Sequence, residues 1–280
     1  MSILEFEFFR NALAAGLLVS IACGILGTFV VVNRLVFIAG GIAHAAYGGV
    51  GLALYFGFSP VLGTFLMSIL SSLFLGAITL NRKSRSDTVI GVFWAAGMAM
   101  GVILTDLAPG YNVDLMSFLF GSILSVSRTD LVLMAVMTTV IALVVAVLFR
   151  HLQIMSYDED FAKIRGIRTD RIYLALLLMI GVSVVMTIRI VGLILVIALL
   201  TIPTYIAESL ASTLKGMILY SSGLAVVFTV SGLVLSYRFN LTTGPTIIAI
   251  ASLCFALFVG FSEIFRRYKT VRDCSTAEQE

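Results

Sequence analysis

Between Arg34 and Arg82 the chain reads LVFIAGGIAHAAYGGVGLALYFGFSPVLGTFLMSILSSLFLGAITLN, 47 residues without a single Asp, Glu, Lys or Arg. An apolar helix of ~20 residues crosses the hydrocarbon core of a bilayer. This run therefore holds two crossings and has to turn back inside itself. Gly57-Phe58-Ser59-Pro60 is the place for the turn. Proline has no N–H for the helix ladder and disfavours helix at the residue before it.

The same punctuation continues on both sides. Uncharged runs cover Asn11–Asn33, Thr88–Thr105, Leu131–Phe149, Ile172–Ile188, Ile190–Ala207, Gly216–Tyr237 and Phe239–Ser262. With the two crossings inside 35–81, nine spans are expected. One apolar piece is left over: Leu115–Ser127, 13 residues between Asp114 and Arg128, which is short for a crossing and suits a re-entrant or interfacial helix. Composition agrees, with 60% hydrophobic and 12% charged residues and a mean hydropathy of +1.11. A soluble domain carries roughly 25% charge, so a soluble domain and a disordered chain are both excluded. The expected architecture is an all-α polytopic membrane protein, one domain over residues 1–280. It comprises a bundle over 8–265, a cytoplasmic loop over 150–171 and a cytoplasmic tail over 266–280.

Basic residues gather on the cytoplasmic side of membrane proteins. Nine spans with the N-terminus outside place Arg34, the Arg82-Lys83-Arg85 cluster, the 150–171 loop, Lys215 and the Arg266-Arg267-Lys269-Arg272 tail inside, 14 of the 18 Lys and Arg. Counting 115–127 as a tenth crossing would separate the 150–171 loop from the Arg82 cluster. Glu5 and Glu7 stand where a signal peptide would be basic, so the first apolar run is expected to remain as a span. Cys23, Cys254 and Cys274 have no disulfide or zinc spacing. No basic stripe with interleaved aromatics points to nucleic acid.

Two spans hold more than lipid-facing bulk. In Val36–Phe56, Gly41, Ala45, Gly49 and Ala53 recur every four residues, a small-residue stripe that lets helices approach closely. Gly40, His44 and Gly48 form the adjacent stripe. His44 lies about ten residues, or ~15 Å, from Arg34, near the bilayer centre. A polar group at that depth faces a bundle interior or a wet cavity. Two readings fit it: a histidine bonded to a neighbouring helix, or a ligand in a cation path, since neutral imidazole binds transition metals. In Val191–Leu210, Pro203 frees the carbonyl of Leu199, and Thr201 and Thr204 offer hydroxyls. Either the helix breaks beside a cavity or this is an ordinary proline kink.

The 150–171 loop contains Ser156-Tyr157-Asp158-Glu159-Asp160-Phe161-Ala162-Lys163-Ile164-Arg165-Gly166. Ser156 and Glu159 fit a capping box, acids precede bases as the helix dipole favours, and Gly166 suits a left-handed helix end. A helix of about eight residues is expected, with Phe161 and Ile164 on one face. That face packs on the chain's own spans or docks on a cytoplasmic partner. No G-x-x-x-x-G-K-[ST] phosphate loop occurs, so nucleotide chemistry would come from another chain.

Three segments together resemble the permease subunits of the zinc/manganese/iron-type ABC importers. They are Asn33-Arg34-Leu35 with Gly41-Ile42-Ala43-His44-Ala45, Tyr157 to Gly166, and Val191-Gly192-Leu193 through Thr201-Ile202-Pro203; Leu119–Leu124 is similar to that family too. The resemblance runs from about residue 8 to 265. It implies a homodimeric permease of the type II importer kind in the cell (cytoplasmic or inner) membrane. Two cytoplasmic ATPase subunits would hold ATP and Mg, and an extracellular or periplasmic metal-binding protein would deliver the ion; this chain itself would hold no cofactor and catalyse nothing. His44 carries over as a pathway residue, with Gly40, Gly48, Thr201, Pro203 and Thr204 on the helices that line it. Tyr157, Asp158, Glu159, Phe161, Ala162, Ile164 and Gly166 carry over to the ATPase contact. Many members have an aspartate four residues before the histidine, where this chain has Gly40. Another helix then supplies carboxylates, or the ion passes with weaker coordination, or the cargo is not a bare metal. The alternative cargo is a metal chelate such as a siderophore or cobalamin. A secondary transporter fits less well, because no Asp or Glu lies centrally in a span.

Overall fold

The computed structural model describes residues 7–81, 86–109, 121 and 126–277, without the side chains of 81, 86, 189–191, 194–195 and 263–277. The described residues form ten helices: α1 (Glu7–Val32), α2 (Val36–Phe56), α3 (Pro60–Asn81), α4 (Ser86–Leu107), α5 (Arg128–Tyr157), α6 (Glu159–Ile164), α7 (Thr169–Val191), α8 (Leu193–Leu210), α9 (Leu214–Phe239) and α10 (Thr243–Ala277). Eight of them are long and apolar enough to cross a membrane, where nine spans were expected; α8 is a shorter apolar helix beside them. The proposed re-entrant segment 115–127 falls almost entirely outside the described residues.

The 47-residue run turns where proline and glycine require it. α2 ends at Phe56, Gly57 takes φ 75°, and Pro60 opens α3, where its missing N–H costs nothing. Only glycine enters the left-handed region without a Cβ clash.

Neighbour contacts give each helix its direction. α2 and α4 run parallel, since Gly40 lies at Trp94 and Gly51 at Gly101. α3 is antiparallel to α2, with Gly49 at Gly63 and Gly41 at Leu75. α1 and α5 run parallel: the Arg128 guanidinium donates to Glu7 at one end (2.9 Å) and Asn33 Nδ2 donates to Ser156 Oγ at the other (2.9 Å). α9 is antiparallel to α1, with Ser222 at Gly24 and Tyr237 edge-on to Phe9. α4 therefore ends, and α5 begins, at the same end of the bundle.

α1, α2 and α7 form the interior. The outer helices turn apolar side chains outward; on α5, Val132, Val136, Val140, Leu143 and Val147 make one exposed helical stripe. That surface would be a liability in water and is the ordinary one in lipid. With no hydrophobic force between helices there, close packing and interhelical hydrogen bonds hold the bundle. A Cβ at Gly97 would stand 2.8 Å from Ala45 Cα, and one at Gly27 would stand 2.6 Å from Thr204 Oγ1. Ser20 Oγ donates to Thr229 Oγ1 (2.8 Å), and Thr79 and Tyr173 share a hydrogen bond of 2.9 Å.

Three sequence readings need correction. α5 stays helical through Tyr157, so the first eight residues of the 150–171 loop belong to a span helix. Residues 266–277 likewise continue α10 rather than forming a separate tail. α8 runs unbroken through Pro203; the interruption falls at Gly192 (φ 83°), a buried residue between α7 and α8.

Candidate functional site

His44 sits on α2, the most deeply embedded helix. Its small-residue neighbours let α4 approach: a Cβ at Gly48 would lie 3.0 Å from the Gly97 carbonyl oxygen. α4 brings two side chains to the imidazole. Trp94 stacks on it, ring centroids 4.0 Å apart and planes 16° from parallel. Met98 places its Sδ 3.1 Å from Nδ1. A thioether accepts hydrogen bonds and donates none, so this contact selects the tautomer protonated at Nδ1. The lone pair is then on Nε2.

The space beside Gly40, one turn before His44, is occupied. A Cβ there would meet Ile197 Cδ1 of α8 at 3.1 Å and Trp94 Cζ3 at 3.4 Å. Tyr47, the other polar side chain within a turn, is buried against Gly101. Among the described residues no group of three or more His, Cys, Asp or Glu could hold a metal ion. The nitrogen and sulfur donors at this point of the bundle are His44 and Met98.

The structure thus brings Gly40, His44 and Gly48 together against α4. Thr201 donates from Oγ1 to the Ile197 carbonyl (2.7 Å), one turn back on its own helix. Pro203 is buried inside α8. Thr204 is fully buried, shares a 2.7 Å hydrogen bond with Ser221 of α9 and packs on Gly27 of α1. Sequence reasoning missed Trp94 and Met98. Their spacing of four puts both on one face of α4, but does not say which helix that face meets.

The second cluster lies where α5 ends. Asp158 is extended (φ −152°), caps α5 through its N–H and caps α6 by accepting from the Phe161 N–H at 2.9 Å. This corrects the expected capping box: Ser156 is inside α5, and its hydroxyl is held by Asn33. α6 is also shorter than expected, six residues. At its far end Gly166 (φ 77°) and Ile167 donate to the carbonyls of Lys163 (2.9 Å) and Ala162 (3.0 Å), a Schellman closure. Lys163 bonds Glu159 at 2.8 Å, and this hydrogen bond raises the lysine pKa.

α6 is seated by Ala162, which is fully buried, while Tyr157, Phe161 and Ile164 are 68%, 45% and 84% exposed. Glu159 borders a cleft of about 450 Å³ that also touches Asn33, Arg34, Thr79, Thr169 and Tyr173. The ends of α1, α3 and α5 and the start of α7 therefore meet at one end of the bundle.

The sequence model of the ABC 3 transport family matches residues 5–262. The chain is 47% identical over 258 residues to an uncharacterised membrane protein of Synechocystis sp., covering 92% of each. It is 30% identical over 260 residues to the manganese transport system membrane protein MntC of Halalkalibacterium halodurans, covering 93% of this chain and 89% of that one. Among solved structures it resembles a chain of PsaBC from Streptococcus pneumoniae, captured with a Fab. The TM-score is 0.82 at 31% identity, over 91% of this chain and 92% of that chain.

Proposed function

The chain belongs to the ABC 3 transport family, and on that premise we propose that it is the permease subunit of an ATP-driven importer for a divalent metal ion: manganese, zinc or iron. It forms the gated path and leaves ATP hydrolysis to a separate subunit. Its assembly contains a second copy of the chain, two cytoplasmic ATPases and an extracellular or periplasmic metal-binding protein. The C-terminus faces the cytoplasm.

The observation that carries this reading is α6. It is the one short helix among those described, it is locked by caps at both ends, and it turns Phe161 and Ile164 away from its own bundle. An apolar pair held rigidly in the aqueous phase is suited to a protein groove. The basic residues at the same end of the bundle support this orientation. Arg34, Arg150, Lys163, Arg165, Arg168, Arg171 and Lys215 lie at or beside it, as the positive-inside rule places them. On the cargo side, His44 offers Nε2 on the α2–α4 face. Manganese is named among the related transport proteins.

The test is co-purification of the ATPase subunit. Wild type is expected to retain it, and Phe161→Asp with Ile164→Asp is expected to lose it while the permease keeps its elution profile. Full retention by the double variant would sink the coupling assignment.

A further inference from the structure

At the proposed cytoplasmic boundary, α5 and α9 leave a groove of about 570 Å³ that the transport reading does not use. Its polar lip is Arg150, His151 and Lys215, and its apolar wall includes Val147, Phe149 and Ile218. Lys215 Nζ stands 5.4 Å over the Phe149 ring, so the ammonium is drawn to the groove wall. No carboxylate lines the groove, and among the described residues neither Arg150 nor Lys215 enters an ion pair. The wall continues into the outward face of the bundle, where Leu143, Val147 and Leu219 are 63%, 71% and 73% exposed. Arg150 follows directly on the uncharged run 131–149, which places the lip at the edge of the hydrocarbon layer.

The geometry points to a site for an anionic phospholipid, its glycerophosphate head group held by Arg150, His151 and Lys215 and its acyl chains lying along Val147 and Ile218. Basic pockets between spanning helices recognise such head groups. The guanidinium pairs with a phosphate through a fork of donors, and the ammonium adds a point charge. The apolar wall runs directly on from the basic lip, so one molecule with both a phosphate and acyl chains fits the groove along its length, whereas a free phosphate would use the lip alone. The inference needs only that α5 and α9 cross a membrane; it uses the orientation proposed above solely to assign the lipid to the cytoplasmic leaflet.

Native mass spectrometry of the purified full-length chain tests it, with dioleoyl phosphatidylglycerol or dioleoyl phosphatidylcholine titrated in. Wild type is expected to retain phosphatidylglycerol in preference, weakened about fivefold for each cation removed in Arg150→Gln and Lys215→Gln. Both side chains are exposed, so the variants keep their fold, which thermal unfolding checks. Millimolar glycerol 3-phosphate is expected to leave the bound lipid in place. Equal retention of the two lipids, or unchanged retention in the double variant, overturns the proposal. Displacement by glycerol 3-phosphate overturns it as well, in favour of a soluble phosphate ligand. Lipid retention is read without transport or an ATPase, so it stands or falls independently of the cargo.

Discussion

The imidazole of His44 lies face to face with the indole of Trp94, 4.0 Å between centroids, and that same indole borders the space where residue 40 would carry a side chain. Trp94 and Gly40 are thus two halves of one arrangement. A larger residue at 40 would crowd the ring that steadies the histidine. An aspartate at position 40 would press first on Ile197 Cδ1, 3.1 Å from the new Cβ, and then on the indole at 3.4 Å.

Metal uptake tests this arrangement. In cells lacking other importers, His44→Ala is expected to lower manganese uptake at least about tenfold. Met98→Leu, which keeps the volume but removes the acceptor that sets the tautomer, is expected to cost less, toward the lower end of the ~10–100-fold range seen for partners of metal-binding histidines. Wild-type uptake by His44→Ala would remove the histidine from the path and favour a chelate as cargo.

Gly40→Asp is expected to lower activity rather than improve it, because the new Cβ meets Trp94 and Ile197. The paired change Gly40→Asp with Trp94→Leu opens the space, and uptake by the double variant should exceed that of Gly40→Asp alone. Equal uptake by the two would mean that Trp94 does not restrict position 40.

Helix packing predicts a sharp contrast among glycines. Gly97→Ala places a methyl 2.8 Å from Ala45 Cα, a backbone atom that cannot step aside, and is expected to cost about 1–3 kcal/mol. Gly223→Ala on α9 meets nothing within 4 Å and should be neutral or add up to about 1 kcal/mol through helix propensity. Thermal unfolding in detergent ranks them, and equal midpoints would contradict the α2–α4 contact.

The α6 caps give a local readout. Asp158→Ala removes the acceptor for the Phe161 N–H and is expected to cost about 0.5–2 kcal/mol. Hydrogen exchange across 159–164 should accelerate by roughly the corresponding factor, while α2 stays protected. Unchanged exchange in α6 would show that the Schellman closure at Gly166 suffices alone.

How far the sequence could be read depended on the kind of information each feature needs. The spans were legible because a charge at membrane depth is costly, so Arg34, Arg82 and Arg150 mark the ends of apolar runs directly. The turn at Gly57–Pro60 was legible because it depends on local backbone chemistry. The cap of α6 was misread by two residues: Ser156 is as good a cap as Asp158, and what decides between them is Asn33, 123 positions away. Trp94 and Met98 were not legible as partners of His44, because in a single sequence nothing distinguishes a methionine that meets another helix from one that meets lipid. Thr204 beside Pro203 looked like a path residue for the same reason, since its partner Ser221 belongs to the next helix.

Asp158 closes α5 and opens α6 at a single residue. α5 has 30 residues, ~45 Å of continuous helix, and its far end is tied to α1 by Arg128 and Glu7. There is no slack between the two helices and no hinge along the longer one. If α6 is the ATPase contact proposed above, a load on Phe161 and Ile164 would be carried to the opposite end of the bundle as the tilt of one continuous helix.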